Sequence, residues 1–448
     1  MKRYEAYRPT KYEWLTEVPT HWQTRTMRSL TTVSSERRGN REATLLSVYR
    51  EYGVIVKSSR DDNHNRESED LSNYKWVRTG DLVMNKMKMW QGSLGVSEFD
   101  GIVSPAYIVC HINDENVNRR YLHMLLRSPC YKTYYNQFSY GIRVGQWDMH
   151  YEDFKGLEVA LPPREEQDQI VCYLDWQMSK INRLIATKRK EIERIQEHLD
   201  KSIEIMFDEI ASAGNDSIPL GRHITSIESG TSVNSIMGTA DNDSIGVLST
   251  SCVYGNNFDL SQNKRVAPSD YGRVSCPVKK NTLIISRMNA PSLVGACGFS
   301  EKDDTRVYLP DRLWQVRFDN ALMPEYAWRY LSTKRIKSWF ATIATGTSSS
   351  MKNITKPQLK SIQIPFPSLE KQAETVRRIK TRCDKCNAAC HVFEESIMHL
   401  IDLRTRLISD VVTGQVDVRD IKVPDGEYTY TETLEEETEE EPVADGEE

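Results

Sequence analysis

The sequence predicts an α+β fold: two similar α/β globular units, joined and spaced by two long antiparallel helices that form a coiled coil, the whole an internal repeat with a pseudo-twofold axis. Three observations lead there. The stretch Leu161-Pro162-Pro163-Arg164-Glu165-Glu166-Gln167 returns in degenerate form as Phe366-Pro367-Ser368-Leu369-Glu370-Lys371-Gln372, with Gln167 and Gln372 lying 205 residues apart. Each copy opens a helical pattern whose seam positions step by four and three: Leu174, Met178, Ile181, Ile185, Lys188, Ile192, Ile195, Leu199, Ser202 and Met206 in the first. In the second they are Ile379, Cys383, Cys386, Cys390, Phe393, Ile397, Leu400, Arg404, Leu407 and Val411, at the same offset. That alternation is the mark of a coiled-coil seam, with the other faces left charged. Finally, the segments preceding the two helices repeat each other as well.

The first globular unit spans residues 1–161. An aromatic leader (Tyr4, Tyr7, Tyr12, Trp14) closes at Val18-Pro19, and β-type runs follow at 43–49 and 53–56. Val77 to Met87 reads as a turn at Gly80-Asp81 leading into a strand, and 101–109 as another strand region. Residues 120–136 are helical by pattern, with Tyr121, Leu122, Leu125 and Leu126 on one face. Gly141 then opens a loop, and Leu157–Leu161 is a closing strand. The first long helix occupies 162–214. The second unit, 215–366, repeats this plan: Ser217 to Gly221 stands for the Val-Pro start, 278–288 for 77–87, 326–340 for 121–135, and 346–354 for the Gly141 loop. The second helix takes 367–414 and a C-terminal extension 415–448. A seam of apolar residues needs a partner, and the simplest for one helix is the other, returning antiparallel because a whole domain intervenes. About 40 residues at 1.5 Å each make a rod of roughly 60 Å, a spacer between two equivalent units.

Composition narrows the function classes. With 448 residues, 39% of them apolar, the chain is a multidomain soluble protein. No apolar run approaches the roughly 20 residues needed to span a bilayer. Met1-Lys2-Arg3-Tyr4-Glu5 lacks the apolar core of a signal peptide, so a cytoplasmic location is expected. Nine irregularly spaced cysteines fit reduced thiols. The net charge of −5 divides unevenly: residues 421–448 hold one lysine against twelve acidic side chains, leaving +6 on the rest. A mildly basic body is compatible with nucleic acid, and the acidic end is too poor in apolar residues to fold.

Motifs for catalysis are weak. Cys383-Asp384-Lys385-Cys386 with Cys390-His391 suggests zinc, yet Cys383, Cys386 and Cys390 align with the seam residues Met178, Ile181 and Ile185, so packing is the better reading. Asn289-Ala290-Pro291-Ser292 lacks the second proline and the aromatic of an amino-methyltransferase motif. Pro310-Asp311 is not followed by an acidic-x-Lys pair of a nuclease, and no Gly-x-x-x-x-Gly-Lys phosphate loop exists. His64, His111, His123 and His150 are scattered. The chain is therefore expected to be non-catalytic by itself, to bind no metal and no cofactor. What recurs instead are basic and amide side chains on matched loops: Lys86, Lys88 and Gln91 beside Trp90, with Arg143, Gln146 and Trp147, in the first unit. Arg287 and Asn289, with Ser348, Ser349, Lys352 and Asn353, are their counterparts in the second. Arg and Lys read guanine, and Gln and Asn read adenine, through paired hydrogen bonds, while hydroxyls hold phosphates. These loops are the candidate DNA contacts. A two-domain protein-binding scaffold remains the competing reading.

The residues also resemble a known family, the specificity subunits of type I restriction-modification systems, from Tyr12 to Asp420. The resemblance is carried by the two Pro-x-x-x-x-Gln helix starts (Pro162 to Gln167, Pro367 to Gln372) and by the closing run Leu407 to Arg419. The Gly80-Asp81-Leu82-Val83 turn and the Gly141 and Gly346 loops add to it. Asn281-Thr282 departs from Gly80-Asp81, and the acidic tail is long. The resemblance implies two target-recognition domains, each reading half of a bipartite, asymmetric double-stranded DNA site. It also implies helices that fix the half-site spacing and dock two methyltransferase subunits; Glu165, Arg183, Arg189, Arg194, Glu374 and Arg378 are the docking candidates. S-adenosylmethionine, ATP and magnesium would belong to those methyltransferase partners and to restriction translocase-nuclease subunits, not to this chain.

Overall fold

The computed structural model describes residues 2–50, 52–59, 70–143, 146–241, 244–346, 351–426 and 428; the side chains of 142, 143 and 146 are outside this description. The chain divides into two compact units, Met1–Lys188 with Glu394–Glu448, and Arg189–Phe393. Each unit thus holds one globular domain and part of each long helix. Among the described residues no helix is long and apolar enough to cross a membrane.

The frame of the first unit is an antiparallel sheet whose strands lie in the order Thr31–Val33, Tyr107–Ile112, Leu82–Asn85, Leu94–Val96. The second unit repeats it as Ile224–Ser229, Leu313–Phe318, Thr282–Ser286, Cys297–Ser300. The central strand Thr282–Ser286 is buried on both faces, which explains its near-continuous apolar run. Leu283 and Ile285 pack with Tyr326, Leu331 and Phe340, whereas Ile284 points into a second core with Leu248 and Val307. That second core lies under a five-stranded sheet (Ser235–Ile236, Asn263–Val266, Gly246–Leu248, Asp304–Tyr308, Pro277–Val278). In the first unit the β-type runs expected at 43–49 and 53–56 pair as a hairpin, Leu46–Tyr49 with Gly53–Val56, which packs on Val83 and Val109.

Some elements differ from expectation. The helix expected over 120–136 is two helices, Arg119–Arg127 and Pro129–Phe138, because Pro129 cannot accept a continuing helix and sits instead at the first position of a new one. The second unit breaks correspondingly between Pro324–Leu331 and Lys334–Ile343, at Ser332-Thr333. The strand region over 101–109 is interrupted at Ser104-Pro105 into Gly101–Val103 and Tyr107–Ile112. The Gly141 loop is a hairpin, Tyr140–Arg143 with Gln146–Asp148. Ser217–Pro219 pairs with Gln363–Pro365 as Gln23–Thr26 pairs with Glu158–Leu161, so its counterpart is Gln23–Thr26 and not the Val18-Pro19 start. Val18 and Pro19 belong to an added hairpin, Tyr7–Tyr12 with Leu15–Pro19.

The departure at Asn281-Thr282 is conservative in physical terms. Gly80 has φ 90° and Asn281 φ 56°, and asparagine is among the few residues that tolerate this left-handed turn. Asp81, which bonds His111 Nδ1 on the neighbouring strand at 2.7 Å, gives way to Thr282, whose hydroxyl lies 3.3 Å from Gln315 Oε1. Gln315 stands, by the strand register, where the first unit has Val109, so the polar partner comes from a different position of the neighbouring strand.

The long helices run Arg164–Ser212 and Leu369–Val412. None of the twenty predicted seam side chains is exposed. At the helix starts the two Pro-x-x-x-x-Gln motifs make the same contacts. Gln167 Nε2 donates to the carbonyls of Pro162 (2.9 Å) and Asn116 (3.2 Å), and its Oε1 accepts from the Asn118 N–H (2.8 Å). Gln372 Nε2 donates to Pro367 and Ala321 (both 3.0 Å), and its Oε1 accepts from Met323 N–H (2.9 Å). Tyr121 Oη reaches the Ala160 carbonyl at 3.1 Å, and Tyr326 Oη the Pro365 carbonyl at 2.9 Å. The proline stops the strand, and the glutamine ties the new helix to the loop that starts the domain's own helix pair.

The first unit is sealed by the segment after the second long helix. Asp417 N–H donates to Lys2 O (2.9 Å), Tyr7 Oη donates to Gly414 O (2.9 Å), and Gln169 Nε2 donates to the carbonyls of Val418 and Ile421. Gly414, at φ 76°, lies where an added Cβ would stand 2.5 Å from Pro19 Cδ. Beneath it the buried Glu166 carboxylate accepts from Tyr4 Oη (2.7 Å) and Trp22 Nε1 (3.0 Å) and contacts His21 Nε2 (2.8 Å). Burial and the neighbouring carboxylate push the Tyr4 phenol well up. Arg419 lies over the Tyr4 ring and bonds Asp417 through two nitrogens, at 3.0 and 2.9 Å, holding the Asp417 carboxyl below the usual carboxylate range.

Two outcomes are expected. Gln372→Leu strands the Met323 N–H and two carbonyls in a site with 0% exposure, and should cost about 2–3 kcal/mol, read from the urea midpoint; an unchanged midpoint would show the amide to be dispensable. Because the folded-state pKa of Asp417 is depressed, its stabilisation is complete above the unfolded carboxylate range and is lost as pH falls through the folded value. The gap in thermal midpoint between the wild-type chain and Asp417→Asn should therefore be widest near neutrality and close toward about pH 3. A gap independent of pH would contradict this.

Candidate nucleic-acid interface

In the first unit the central strand Leu82–Asn85 runs into a 3-10 turn, Lys86–Gln91. Asn85 Oδ1 caps it by accepting from Met87 N–H at 3.2 Å, and Gly92, at φ 94°, ends it. The hairpin 140–148 lies against this turn. Met149 N–H donates to Lys86 O at 3.1 Å, Lys86 Nζ pairs with Asp148 at 2.8 Å, and Trp147 meets Trp90 edge-on with ring centres 5.2 Å apart. The loops singled out in the sequence, some 55 residues apart, therefore form one surface. Lys88 is exposed and Gln91 half-buried. Arg143 and Gln146 face each other across the hairpin; their side chains lie outside the described residues. Sequence reasoning missed three neighbours: Met87, 56% exposed between two lysines; Tyr140, 57% exposed and stacked on His150 at 5.2 Å; and Asp148, the partner of Lys86. An aromatic beside Gly141 was the available signal for Tyr140.

The second unit brings the equivalent segments together by strand pairing. Met288–Asn289, just past the central strand, pairs with Lys352–Asn353, Met288 opposite Asn353 and Asn289 opposite Lys352. Ile354 N–H donates to Arg287 O at 2.9 Å. Arg287 Nε is bound to the Asp311 carbonyl at 2.6 Å, which fixes the direction of the guanidinium. Asn289 Nδ2 donates to Tyr254 Oη (3.0 Å) and Ser286 Oγ (3.2 Å), so this side chain is held by its own domain. Lys352 is half-buried, and Asn353 Oδ1 is buried without a hydrogen-bond partner among the described residues. Ser348 and Ser349 lie outside the described residues.

Of the helix-surface candidates, Glu165, Arg183, Arg194 and Arg378 are exposed, while Arg189 and Glu374 are half-buried. Arg194 pairs with Glu191 at 2.5 Å and Glu374 with Lys371 at 2.9 Å, which with Arg378 and Arg377 nearby lowers the Glu374 pKa. Cys383, Cys386 and Cys390 occupy their seam positions, half-buried to buried, and burial pushes the Cys383 thiol up. Among the described residues no group of three His, Cys, Asp or Glu is placed to hold a metal ion.

Cationic, amide and aromatic side chains on a capped turn and a neighbouring hairpin can donate to phosphates and base edges and stack on exposed rings. A sequence model described as the type I restriction modification DNA specificity domain matches residues 247–389. Over that stretch the chain is similar to type I restriction-modification specificity domains. The matched stretch takes in the second unit's central sheet, its candidate loops and the start of the second long helix. The fold agrees: a chain from a type I restriction-modification system solved for its complex assembly and conformational transition aligns over 89% of this chain and 99% of its own, with a TM-score of 0.59 and 16% identity. The HsdS subunit from Thermoanaerobacter tengcongensis aligns over 91% and 100%, with a TM-score of 0.43 and 17% identity. No curated protein sequence matches the chain.

Proposed function

We propose that this chain is the DNA-reading subunit of a type I restriction-modification complex, in which each globular domain contacts one half of a bipartite, asymmetric duplex site. One observation carries the reading. In both domains the segment past the central strand and the segment past the helix pair converge on one surface, at Lys86 with Asp148–Met149 and at Met288–Asn289 with Lys352–Asn353. The frame around these surfaces repeats, while the side chains on them differ between the domains. A repeated scaffold with dissimilar contact residues suits a site whose halves differ in sequence.

The long helices are the spacer. Within the first unit Asn182 Oδ1 meets Arg404 at 3.3 Å, and within the second Glu209 meets Arg378 at 3.9 Å. Asn182 lies in the first half of the first helix and meets a residue late in the second, whereas Glu209 lies near the end of the first and meets a residue early in the second, as antiparallel helices require, and the buried seam supports a coiled coil. A length of 44 to 49 residues corresponds to about 66 to 74 Å of helix, a rigid ruler for half-site separation. Glu165, Arg183, Arg189, Arg194, Glu374 and Arg378 are proposed to dock two methyltransferase subunits, which would supply S-adenosylmethionine. Restriction subunits would bring ATP and magnesium. In this reading the chain contributes recognition and no chemical step.

Lys86→Ala together with Trp147→Ala should lower affinity for one half-site by about 10-fold or more while the other half-site's preference stays intact, as read by competition with half-site-scrambled duplexes. Lys352→Ala should affect only the opposite half. Equal loss at both halves would defeat the two-reader assignment. Deleting four residues around Lys188, about one helical turn, should change the methylated gap length seen by methylome sequencing, whereas an unaltered gap would remove the ruler.

A further inference from the structure

Within the second unit, an open groove of about 570 Å³ runs along the N-terminal part of the second long helix, lined by Met206, Thr381, the cations Arg377, Arg378, Arg382 and Lys385, and one carboxylate, Glu374. Arg377, Thr381, Arg382 and Lys385 are all exposed and fall within nine residues, so they form a stripe over two turns. Arg378 has a carboxylate in reach, Glu209 at 3.9 Å, and Glu374 is paired with Lys371 at 2.9 Å. Among the described residues Arg377, Arg382 and Lys385 have no ion-pair partner within 4 Å. The lining thus holds four cations against one carboxylate, and cations on adjacent turns repel one another and weaken the helix they stand on.

The repeat shows that this stripe is not required by the helix itself. At the 205-residue offset, the first long helix carries Cys172, Trp176, Gln177 and Lys180 at these positions, and Lys180 is seated over the Trp176 ring at 3.5 Å. Seam and cap residues recur in both helices, but the open cationic wall occurs in the second alone. A feature added to one copy of a repeat, at a cost in helix stability, calls for an external anion.

We propose that this groove binds the sugar-phosphate backbone of duplex DNA, as a sequence-independent contact separate from the two reading surfaces and in place of a docking role for Glu374 and Arg378, which line it too. Two guanidinium groups, an ammonium and the Thr381 hydroxyl are the donors that phosphates take up. The eight-residue span from Arg377 to Lys385 covers about 12 Å of helix, and one DNA strand presents a phosphate about every 3.4 Å along its axis, so three contacts fit. The assignment rests on the chain being a DNA-binding specificity protein.

The test uses the full chain and a random-sequence duplex, with affinity measured from about 50 to 200 mM salt. Arg377→Ala/Arg382→Ala/Lys385→Ala should weaken binding at low salt and reduce the slope of log K against log salt by about 2.7, three contacts at about 0.9 each, with helix content unchanged. Arg377→Lys/Arg382→Lys should keep the slope. Relative preference for the specific site should be the same in the triple variant and the wild type, which separates this test from the reading surfaces: failure of those would appear as unaltered discrimination in Lys86→Ala/Trp147→Ala. An unchanged slope overturns the groove assignment, and does so too if the triple variant instead loses assembly with a methyltransferase subunit, since the stripe would then be a protein-docking surface.

Discussion

A buried primary amide governs how the helices meet the domains. Each long helix begins just past a strand and a proline, where the backbone groups of the joining segment and of the adjacent domain loop have no regular-structure partners. Gln167 and Gln372 supply those partners. Each amide accepts from the N–H that opens the domain's helix pair and donates to two carbonyls, one from its own proline and one from the loop before that pair. The direction in which a helix leaves its domain is thereby set by three hydrogen bonds in a dry site, and an amide with one acceptor and two donors is the group that can make all three. A carboxylate could not donate, and an apolar side chain would strand every partner. The precision of any spacer built from these helices depends on that joint.

Around this constant joint the two domains vary in ways that preserve backbone geometry. Gly80 and Asn281 both supply a left-handed residue, and the N–H groups of the residues just before them, Thr79 and Lys280, donate to Asp100 and Asp303. Asp81 bonds His111 and Thr282 contacts Gln315, but by the strand register Gln315 stands where the first domain has Val109, so the polar contact beside the turn is made to a different position of the neighbouring strand in each domain. Farther from the frame the domains diverge outright, one adding an N-terminal hairpin and the Glu166 cluster, the other a five-stranded sheet over Ile284. The joint and the central strand thus keep their geometry while what surrounds the loops changes.

Much of this was legible without coordinates because it is periodic or repeated. The seam positions follow from a four-three alternation, and their burial follows from amphipathicity alone. The matched loops follow from the 205-residue offset, and the assignment of Cys383, Cys386 and Cys390 to packing follows from the same offset. What escaped depends on tertiary partners or on a single local breaker. Pro129 divides a helix that apolar spacing alone joins, and Asp148 neutralises Lys86 from a hairpin that the intervening glycines disguised as a loop. Arg287 and Asn289 have the donor types expected of base readers, yet Asp311 and Tyr254 already occupy some of those donors. Sequence names the residue type; only the fold reveals how many of its hydrogen bonds remain free.

That distinction shapes how recognition can work on these surfaces. Asn289 has its amide nitrogen bound by two hydroxyls and its oxygen bound by the Ala290 N–H, so reading adenine through both atoms would require breaking three contacts. Its role is better served by holding the turn in place, with the strand-paired Lys352 alongside. Lys86, by contrast, is held by one half-exposed ion pair, which is worth about 1 kcal/mol or less and is readily exchanged for a phosphate or a guanine edge. Side chains that are weakly committed to their own domain can change partner at little cost, whereas those tightly bound within it fix the shape of the surface. The two classes stand side by side in the convergent loops.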